Sequence, residues 1–141
     1  MDLDETISEY HRSLDEFSRG DPAPVKALYT RRDDATLANP FVGPPARGWA
    51  KVEEALDFAS SRFRDGELSE YKTISTIKGE DLIVLLEIEE WKSRVGERSE
   101  ISPFTLRVTT VFRSEGDTWK MVHRHADPIS TPDPSGPLRA S

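Results

Sequence analysis

Hydrophobic positions recur every three or four residues in three stretches of the first half of the chain. This spacing places the side chains on one face of an α-helix. The first stretch ends at Gly20, the second follows Asp21-Pro22, and the third runs from Trp49 to Asp65-Gly66. The hydrophobic positions are, in order, Leu3, Ile7, Tyr10, Leu14 and Phe17; Val25, Leu28 and Tyr29; and Val52, Leu56, Ala59 and Phe63. The pattern therefore predicts three helices.

The second half of the chain is typical of β-strands. Residues 68–78, 82–94, 101–113 and 118–126 are rich in β-branched, leucine and aromatic residues, and short polar segments that contain glycine separate them. Such segments are typical of hairpin turns. A further short extended piece, residues 34–40, precedes the third helix. Helices followed by strands predict an α+β domain with the helices on one face of a curved antiparallel sheet.

The two central strands each have a hydrophobic side and a mixed side. The mixed sides are Ile83, Leu85, Glu87, Glu89 and Trp91 on one strand and Thr105, Arg107, Thr109, Val111 and Arg113 on the other. In one interpretation the mixed sides face water. We favour mixed sides that line a partly polar cavity beneath the helices, because Trp91 and Ile83 would otherwise be exposed. The hydrophobic sides then need a cover, and we predict a homodimer formed through them.

Composition limits the class of protein. The chain has 141 residues, a formal net charge of -7 and no cysteine. Its length suits one domain, which we expect to span residues 1–128, followed by a proline-rich tail over residues 129–141. The negative charge argues against nucleic acid and anionic membranes as partners. The N-terminus contains no hydrophobic signal segment, so we expect a cytoplasmic location.

The candidate chemistry is concentrated in the last strand, which contains two of the three histidines. Strand alternation would place His123, His125 and Asp127 on one side, together with Trp119 and Met121. Three interpretations remain open: acid/base catalysis, metal binding with Asp127 or Glu87 as third ligand, and structural hydrogen bonding. As catalytic candidates we take His123, His125 and Asp127, with no metal and no other cofactor.

Other polar and aromatic side chains are candidates for contact with a ligand in the cavity. Arg107 could hold an anion or a carbonyl, or could form an ion pair with a glutamate on the neighbouring strand. The third histidine, His11, is expected to be exposed on the first helix. The candidate ligand-binding residues are Asn39, Trp49, Glu87, Trp91, Arg107 and Thr109.

Four segments, in this order and spacing, carry a resemblance to a known family. They are Gly20-Asp21 followed by residues 25–29, residues 34–40, Gly48-Trp49, and residues 119–127. Over residues 1–128 the chain resembles the nuclear transport factor 2-like superfamily, in its SnoaL-like and ketosteroid isomerase-like branch. The resemblance implies a cone-shaped barrel of three helices packed on a curved antiparallel sheet, a deep pocket, and dimers formed through the sheet.

The same resemblance leaves the activity open, because this fold serves isomerases, cyclases, dehydratases, hydrolases and association domains. The isomerase branch uses an aspartate as base and an oxyanion hole of tyrosine and protonated aspartate. The corresponding positions here are Asn39, Ser13 and Thr109, so we do not expect steroid isomerisation by that set. We expect a protein that binds a small apolar molecule with a carbonyl group, as a cofactor-independent isomerase, cyclase or hydrolase. The alternative is a non-catalytic dimeric association or regulatory domain.

Overall fold

The computed structural model describes residues 2–41 and 43–129. In chain order the elements are α1 (Leu3–Ser18), α2 (Ala23–Leu28), β1 (Thr36–Ala38), β2 (Ala46–Arg47), α3 (Trp49–Ser60), β3 (Phe63–Lys78), β4 (Leu82–Val95), β5 (Ser102–Glu115) and β6 (Thr118–Pro128). The predicted α+β class is confirmed. The predicted tail, apart from Ile129, lies outside the described residues. None of the described helices has the length and apolar character that a membrane crossing requires.

The six strands form one curved sheet in the order β2-β1-β6-β5-β4-β3. The four long strands pair antiparallel in chain order, as the hairpin turns predicted. The short strand β1 instead runs parallel to β6. Shifts of register interrupt the pairing of β3 with β4 and of β5 with β6. Such bulges increase the local bend of a sheet, and the helices pack on the inner face that results.

The first helix begins and ends at the residues that the sequence indicated. Its N-cap is Asp2, whose side chain accepts a hydrogen bond of 2.8 Å from the amide of Glu5. This bond satisfies one of the amide groups that have no partner within the helix. Gly20 follows the helix with φ +94°, a conformation that favours glycine. The buried side of α1, which includes Tyr10 and Leu14, packs on the inner face of the sheet.

The third helix is shorter than predicted. It ends at Ser60, and Phe63 already belongs to β3. Phe63 packs against Trp91 and Phe104, with ring centroids 5.7 and 5.8 Å apart, so its hydrophobic character reflects the sheet and not the helix. Gly66 does not end a helix either. A Cβ atom there would lie 2.7 Å from the carbonyl oxygen of Ser18, so this glycine lets β3 approach the end of α1.

The prediction of which strand faces lie inside is correct for β4 and wrong for β5. The mixed side of β4 is buried beneath the helices. On β5 the hydrophobic side is buried instead. The register explains this difference, since Trp91 pairs with Phe104 and Glu89 pairs with Leu106, and paired residues in antiparallel strands point to the same side. The side of β5 that contains Arg107 therefore lies on the outer face of the sheet.

Candidate functional site

A cavity of about 760 Å³ lies between the helices and the inner face of the sheet. Its walls are mainly hydrophobic, and the aromatic residues in them are Phe17, Phe41, Phe63, Trp91 and Phe104. The rings of Phe63, Trp91 and Phe104 have centroids 5.7–5.8 Å apart; Phe104 is stacked at 16° and 22° to the other two, and Phe63 and Trp91 are tilted by 31°. A cavity of this volume and character is suited to a small apolar molecule.

Arg124 also borders the cavity and belongs to a buried polar cluster. Its two Nη atoms donate to the carboxylate of Glu89 over 2.9 and 2.8 Å, and Nη1 also donates to the hydroxyl of Tyr10. Glu89 accepts a further bond of 3.0 Å from Trp91 Nε1. The Tyr10 hydroxyl lies 2.7 Å from Thr110 Oγ1. The cluster thus pairs one buried cation with one buried carboxylate, which is the arrangement that burial of charge requires.

The environment of this cluster fixes the protonation of two of its members. Burial raises the pKa of Tyr10 well above its usual value, although the charge of Arg124 acts in the opposite direction. Burial alone would lower the pKa of Arg124, but Glu89 and Tyr10 outweigh it and hold that pKa above its usual value. Near neutral pH, Tyr10 is therefore a protonated hydroxyl and Arg124 is a cation.

Arg124 keeps two of its five N–H donors that the described residues do not use, namely Nε–H and one of the two on Nη2. Its two Nη atoms are engaged by Glu89 and Tyr10, whereas Nε–H makes no hydrogen bond with residues 2–41 or 43–129. Every fully buried side-chain nitrogen or oxygen in that part of the chain has a partner. Nε is therefore accessible, and we infer that it is reached from the cavity that Arg124 borders.

Two of the ligand-binding residues predicted from the sequence line this cavity, namely Asn39 and Trp91. Asn39 is held in a turn, where its side-chain oxygen accepts a bond of 3.0 Å from the amide of Phe41. Trp49 lies outside the cavity lining and stacks beneath Arg31, whose guanidinium carbon is 3.7 Å from the ring centroid.

Glu87 points inward but does not border the cavity. It accepts bonds from His11 Nε2 at 2.8 Å and from Thr73 Oγ1 at 2.8 Å. The expectation that His11 is exposed is wrong, because it is 8% exposed. Its ring also stacks on Tyr71 with centroids 3.6 Å apart. The carboxylate of Glu87 explains why a histidine occupies a buried position of α1.

The expectation that Arg107 and Thr109 face the cavity is wrong, and the histidine strand also differs from its predicted arrangement. Arg107 pairs with Asp127 and Thr109 pairs with His125 on the outer face. A bulge in β6 places Val122 between two pairs, so that Met121 pairs with the inward Phe112. Beyond the bulge the alternation is reversed. His123, His125 and Asp127 therefore lie on the outer face, with Arg124 inside, and their predicted catalytic role stays untested.

The outer histidines make local contacts on their own face. His123 Nδ1 lies 2.8 Å from Thr36 Oγ1, and His125 Nε2 lies 3.0 Å from Asp127 Oδ2. Burial, and secondarily the charge of His125, lowers the pKa of His123. In the described part of the chain no three histidine or carboxylate side chains are arranged to hold a metal ion. Of the three interpretations, structural hydrogen bonding is the one that these contacts favour.

Comparison with known proteins identifies the family. The sequence profile of the SnoaL-like domain matches residues 4–131. The chain belongs to the SnoaL-like domain family. No protein with a curated description matches it.

Solved structures share the fold of this SnoaL-like domain. A nuclear transport factor 2-like superfamily protein from Salmonella enterica is 17% identical, with a TM-score of 0.75 over 94% of this chain and 92% of that one. A ketosteroid isomerase-like protein from Erwinia carotovora is 19% identical, with a TM-score of 0.73 over 92% and 95%. A candidate calcium/calmodulin-dependent protein kinase type II association domain from Thiobacillus denitrificans is 20% identical, with a TM-score of 0.71 over 91% and 95%. At these identities the similarity establishes the fold alone.

This SnoaL-like domain differs from the isomerase pattern at the three positions that the sequence indicated. Asn39 has an amide in place of the base, and this amide is already bonded within its turn. Ser13 is buried and donates to the carbonyl oxygen of Tyr10 over 2.6 Å. Thr109 lies on the outer face. The usual isomerase residues are thus absent from these three positions, and the expectation about steroid isomerisation stays a prediction.

The residues of the buried cluster were not recognised from the sequence. Arg124 follows His123 in a strand whose alternation indicated that it would face outward, and only the bulge at Val122 reverses this. The helical spacing placed Tyr10 on the inward face of the first helix, and strand alternation placed Glu89 on the mixed side that we expected to face inward. One signal was present, since a glutamate on the buried side of β4 requires a cation or several donors nearby.

Proposed function

We propose that this SnoaL-like domain binds a small, flat and largely apolar molecule whose carbonyl oxygen accepts a hydrogen bond from Arg124 Nε. The observation that carries the proposal is that a buried arginine at the border of a hydrophobic cavity keeps its Nε–H, and one N–H of Nη2, unused by the described residues. The arginine cannot move freely toward a ligand, because Glu89 holds both of its Nη atoms. It therefore offers a fixed donor to the ligand.

The walls of the cavity favour a flat ligand. Phe104 stacks on both Phe63 and Trp91 at interplanar angles of 16° and 22°, and offset stacking is a favourable arrangement for aromatic groups. Among the described residues that line the interior, none has an imidazole or carboxylate that touches the cavity. The one carboxylate among the described lining residues, that of Glu97, belongs to an exposed residue. This composition favours binding over proton transfer as the function.

Binding of 9-fluorenone and fluorene would test the proposal. The two molecules have the same flat ring system and differ by the carbonyl oxygen. A hydrogen bond from a charged donor contributes about 1.5–3 kcal/mol, and each 1.4 kcal/mol is a factor of about ten in affinity. We expect 9-fluorenone to bind at least about tenfold more tightly in isothermal titration calorimetry. Equal affinities would show that Arg124 does not anchor a carbonyl group.

A matched pair of variants would show whether the ligand occupies the cavity. Ala59 lines the cavity and is buried, whereas Ala55 is on the same helix outside the lining. Ala59→Phe should abolish binding of 9-fluorenone by filling the space, and Ala55→Phe should retain it. Thermal unfolding of both variants would verify that they are folded. Retention of binding by a folded Ala59→Phe variant would contradict the proposed site.

A second function, self-association through the outer face of the sheet, is favoured by a separate observation. Hydrophobic side chains on this face are exposed or half-buried, and they form a patch that we call the outer patch: Ile77, Leu82, Val84, Leu86, Ile88 and Val111. Contiguous hydrophobic surfaces of this kind mark interaction sites. We propose that a second copy of the chain covers the outer patch in a symmetric homodimer.

Sedimentation velocity at micromolar concentration would test the homodimer. Leu86 is 38% exposed within the outer patch, and Phe58 is 49% exposed on α3, away from it. We expect the unmodified protein to sediment as a dimer, Leu86→Lys as a monomer, and Phe58→Lys as a dimer. A monomeric unmodified protein would eliminate this assembly and leave the ligand proposal unaffected.

A further inference from the structure

The mouth of the cavity differs in charge from its interior. Among the described residues, three charged side chains besides Arg124 line the cavity, namely Arg62, Glu97 and Arg98, and the exposure of Glu97 and Arg98 indicates that they lie where it opens to solvent. Arg62 lies between α3 and β3, and the other two lie in the turn between β4 and β5. The mouth thus has two cations and one anion, although the whole chain has a net charge of -7. A positive site on an acidic protein is a local feature that needs its own explanation.

Arg62 is half-buried and has no ionic partner among residues 2–41 and 43–129. Its side chain makes no hydrogen bond and no ion pair with any of these residues, and Glu97 forms no ion pair with it. Arg12, Arg94 and Arg113, in contrast, each contact a carboxylate. A partly buried cation that borders a hydrophobic cavity without an internal counterion is suited to an anion from outside the chain.

The turn between β4 and β5 fixes the position of Arg62. The amide of Gly96 donates to the carbonyl oxygen of Arg62 over 2.8 Å. A Cβ atom at Gly96 would lie 2.6 Å from Arg62 Nη2, so the guanidinium group occupies the space that any other residue would fill. The same turn is held by Arg64, whose Nη2 donates to the carbonyl oxygen of Arg98 over 2.8 Å. The main chain of Arg62 is thus held by this turn, and its guanidinium group lies against Gly96.

We propose that the ligand of this cavity is an amphipathic anion, with an apolar body among the aromatic walls and a carboxylate or phosphate group held at the mouth by Arg62, with Arg98 beside it. This inference rests on the proposed function and adds the chemical class of the ligand. A guanidinium group offers paired donors that match the oxygen atoms of such a group. The ligand thus spans the cavity from Arg124 inside to Arg62 at the mouth.

Two fluorescent probes with the same ring systems would test the inference. 8-Anilinonaphthalene-1-sulfonate bears an anionic group, and N-phenyl-1-naphthylamine is its neutral counterpart. We expect the unmodified protein to bind the anionic probe about tenfold more tightly, in line with a charged hydrogen bond. This preference should decrease at high salt concentration, because ions screen exposed charges.

Variants would then assign the preference to Arg62. Arg62→Gln should reduce the affinity for the anionic probe about tenfold and leave that for the neutral probe unchanged, and Arg62→Lys should restore part of the preference. Arg47→Gln is the matched control, because it makes the same change of net charge at an exposed residue of β2 outside the cavity lining. Equal loss in both variants would attribute the effect to net charge and overturn the inference.

Competition for the neutral probe would distinguish the anionic groups. Displacement by 2-naphthoate rather than 2-naphthyl phosphate would identify a carboxylate ligand, and the reverse order would identify a phosphate. If neutral 2-naphthol competes as well as both anions, the inference is wrong although the proposed function stands. If 9-fluorenone binds but neither fluorescent probe does, the inference is wrong and the proposed function stands; if 9-fluorenone does not bind either, both fail.

Discussion

The buried pair of Arg124 and Glu89 allows a quantitative prediction about stability. Replacing Arg124 by leucine removes two hydrogen bonds to Glu89 and one to Tyr10 and leaves a carboxylate in the core without its cation. Breaking a buried ion pair in this way typically costs about 3–5 kcal/mol. Glu89 would retain two neutral donors, Trp91 Nε1 at 3.0 Å and Tyr10 at 3.4 Å. We therefore expect the free energy of unfolding to decrease by roughly 3 kcal/mol, at the low end of that range.

Urea unfolding followed by circular dichroism at pH 7 would measure this loss. With a slope of about 1–3 kcal/mol per molar urea for a domain of this size, a loss of roughly 3 kcal/mol lowers the midpoint by about 1–3 M. The informative comparison is a double-mutant cycle with Glu89→Leu. Each single variant leaves one charge unpaired, whereas the double variant leaves neither.

The cycle also defines the result that would refute this reasoning. We expect the double variant to be more stable than either single variant, because hydrophobic replacements of a buried pair are often neutral or stabilising. If the losses of the two single variants add in the double variant, Arg124 and Glu89 do not act as a pair. A loss below about 1 kcal/mol in Arg124→Leu would show that the cluster is hydrated like a surface pair.

Three further predictions concern the histidines and the tyrosine. Replacing both His123 and His125 by alanine should leave 9-fluorenone binding within about twofold in calorimetry, because both lie on the outer face; loss of binding would reinstate them in the site. Since the folded state lowers the pKa of His123, its unfolded state binds the proton more readily, and stability should decrease as the pH falls below about 6.5. Between pH 7 and 5 the urea midpoint should decrease less in His123→Gln than in the unmodified protein. An equal decrease in the two proteins would contradict the assignment of this pH dependence to His123. Tyr10→Phe removes the hydroxyl that contacts Thr110 and Arg124, so urea unfolding should show a loss of about 1–3 kcal/mol; an unchanged midpoint would mean that this hydroxyl does not stabilise the fold.

The order and type of the long elements could be predicted from the sequence because local patterns determine them. The spacing that indicated α1 and the hairpin turns depends on neighbouring residues only, and the buried side of β4 followed from Trp91 and its neighbours. The inner side of β5 depends on its register with β4, which pairs Glu89 with Leu106. A one-residue difference in register exchanges the two faces of a strand. No local pattern in the sequence determined which register β5 adopts.

The arrangement of the site could not be predicted for the same kind of reason. The bulge at Val122 adds one residue to β6 relative to β5, and this single residue determines whether Arg124 or the histidines face the cavity. His11 was assigned to the surface because its partner, Glu87, is 76 residues away in the sequence. Contacts of this range appear only when the strands and the first helix are placed together.

Two contacts between α1 and β4 have a consequence for how the chain folds. The carboxylates of Glu87 and Glu89 lie on the inner side of β4, and α1 provides His11 for the first and Tyr10 for the second. The hairpins depend on contacts between residues close in the chain, whereas these two carboxylates become buried, and gain their partners from α1, only when the N-terminal helix docks. During synthesis α1 is made before β4, so these contacts can form only after β4 has been made. We therefore expect the domain to become cooperative when α1 docks, and not when the hairpins form.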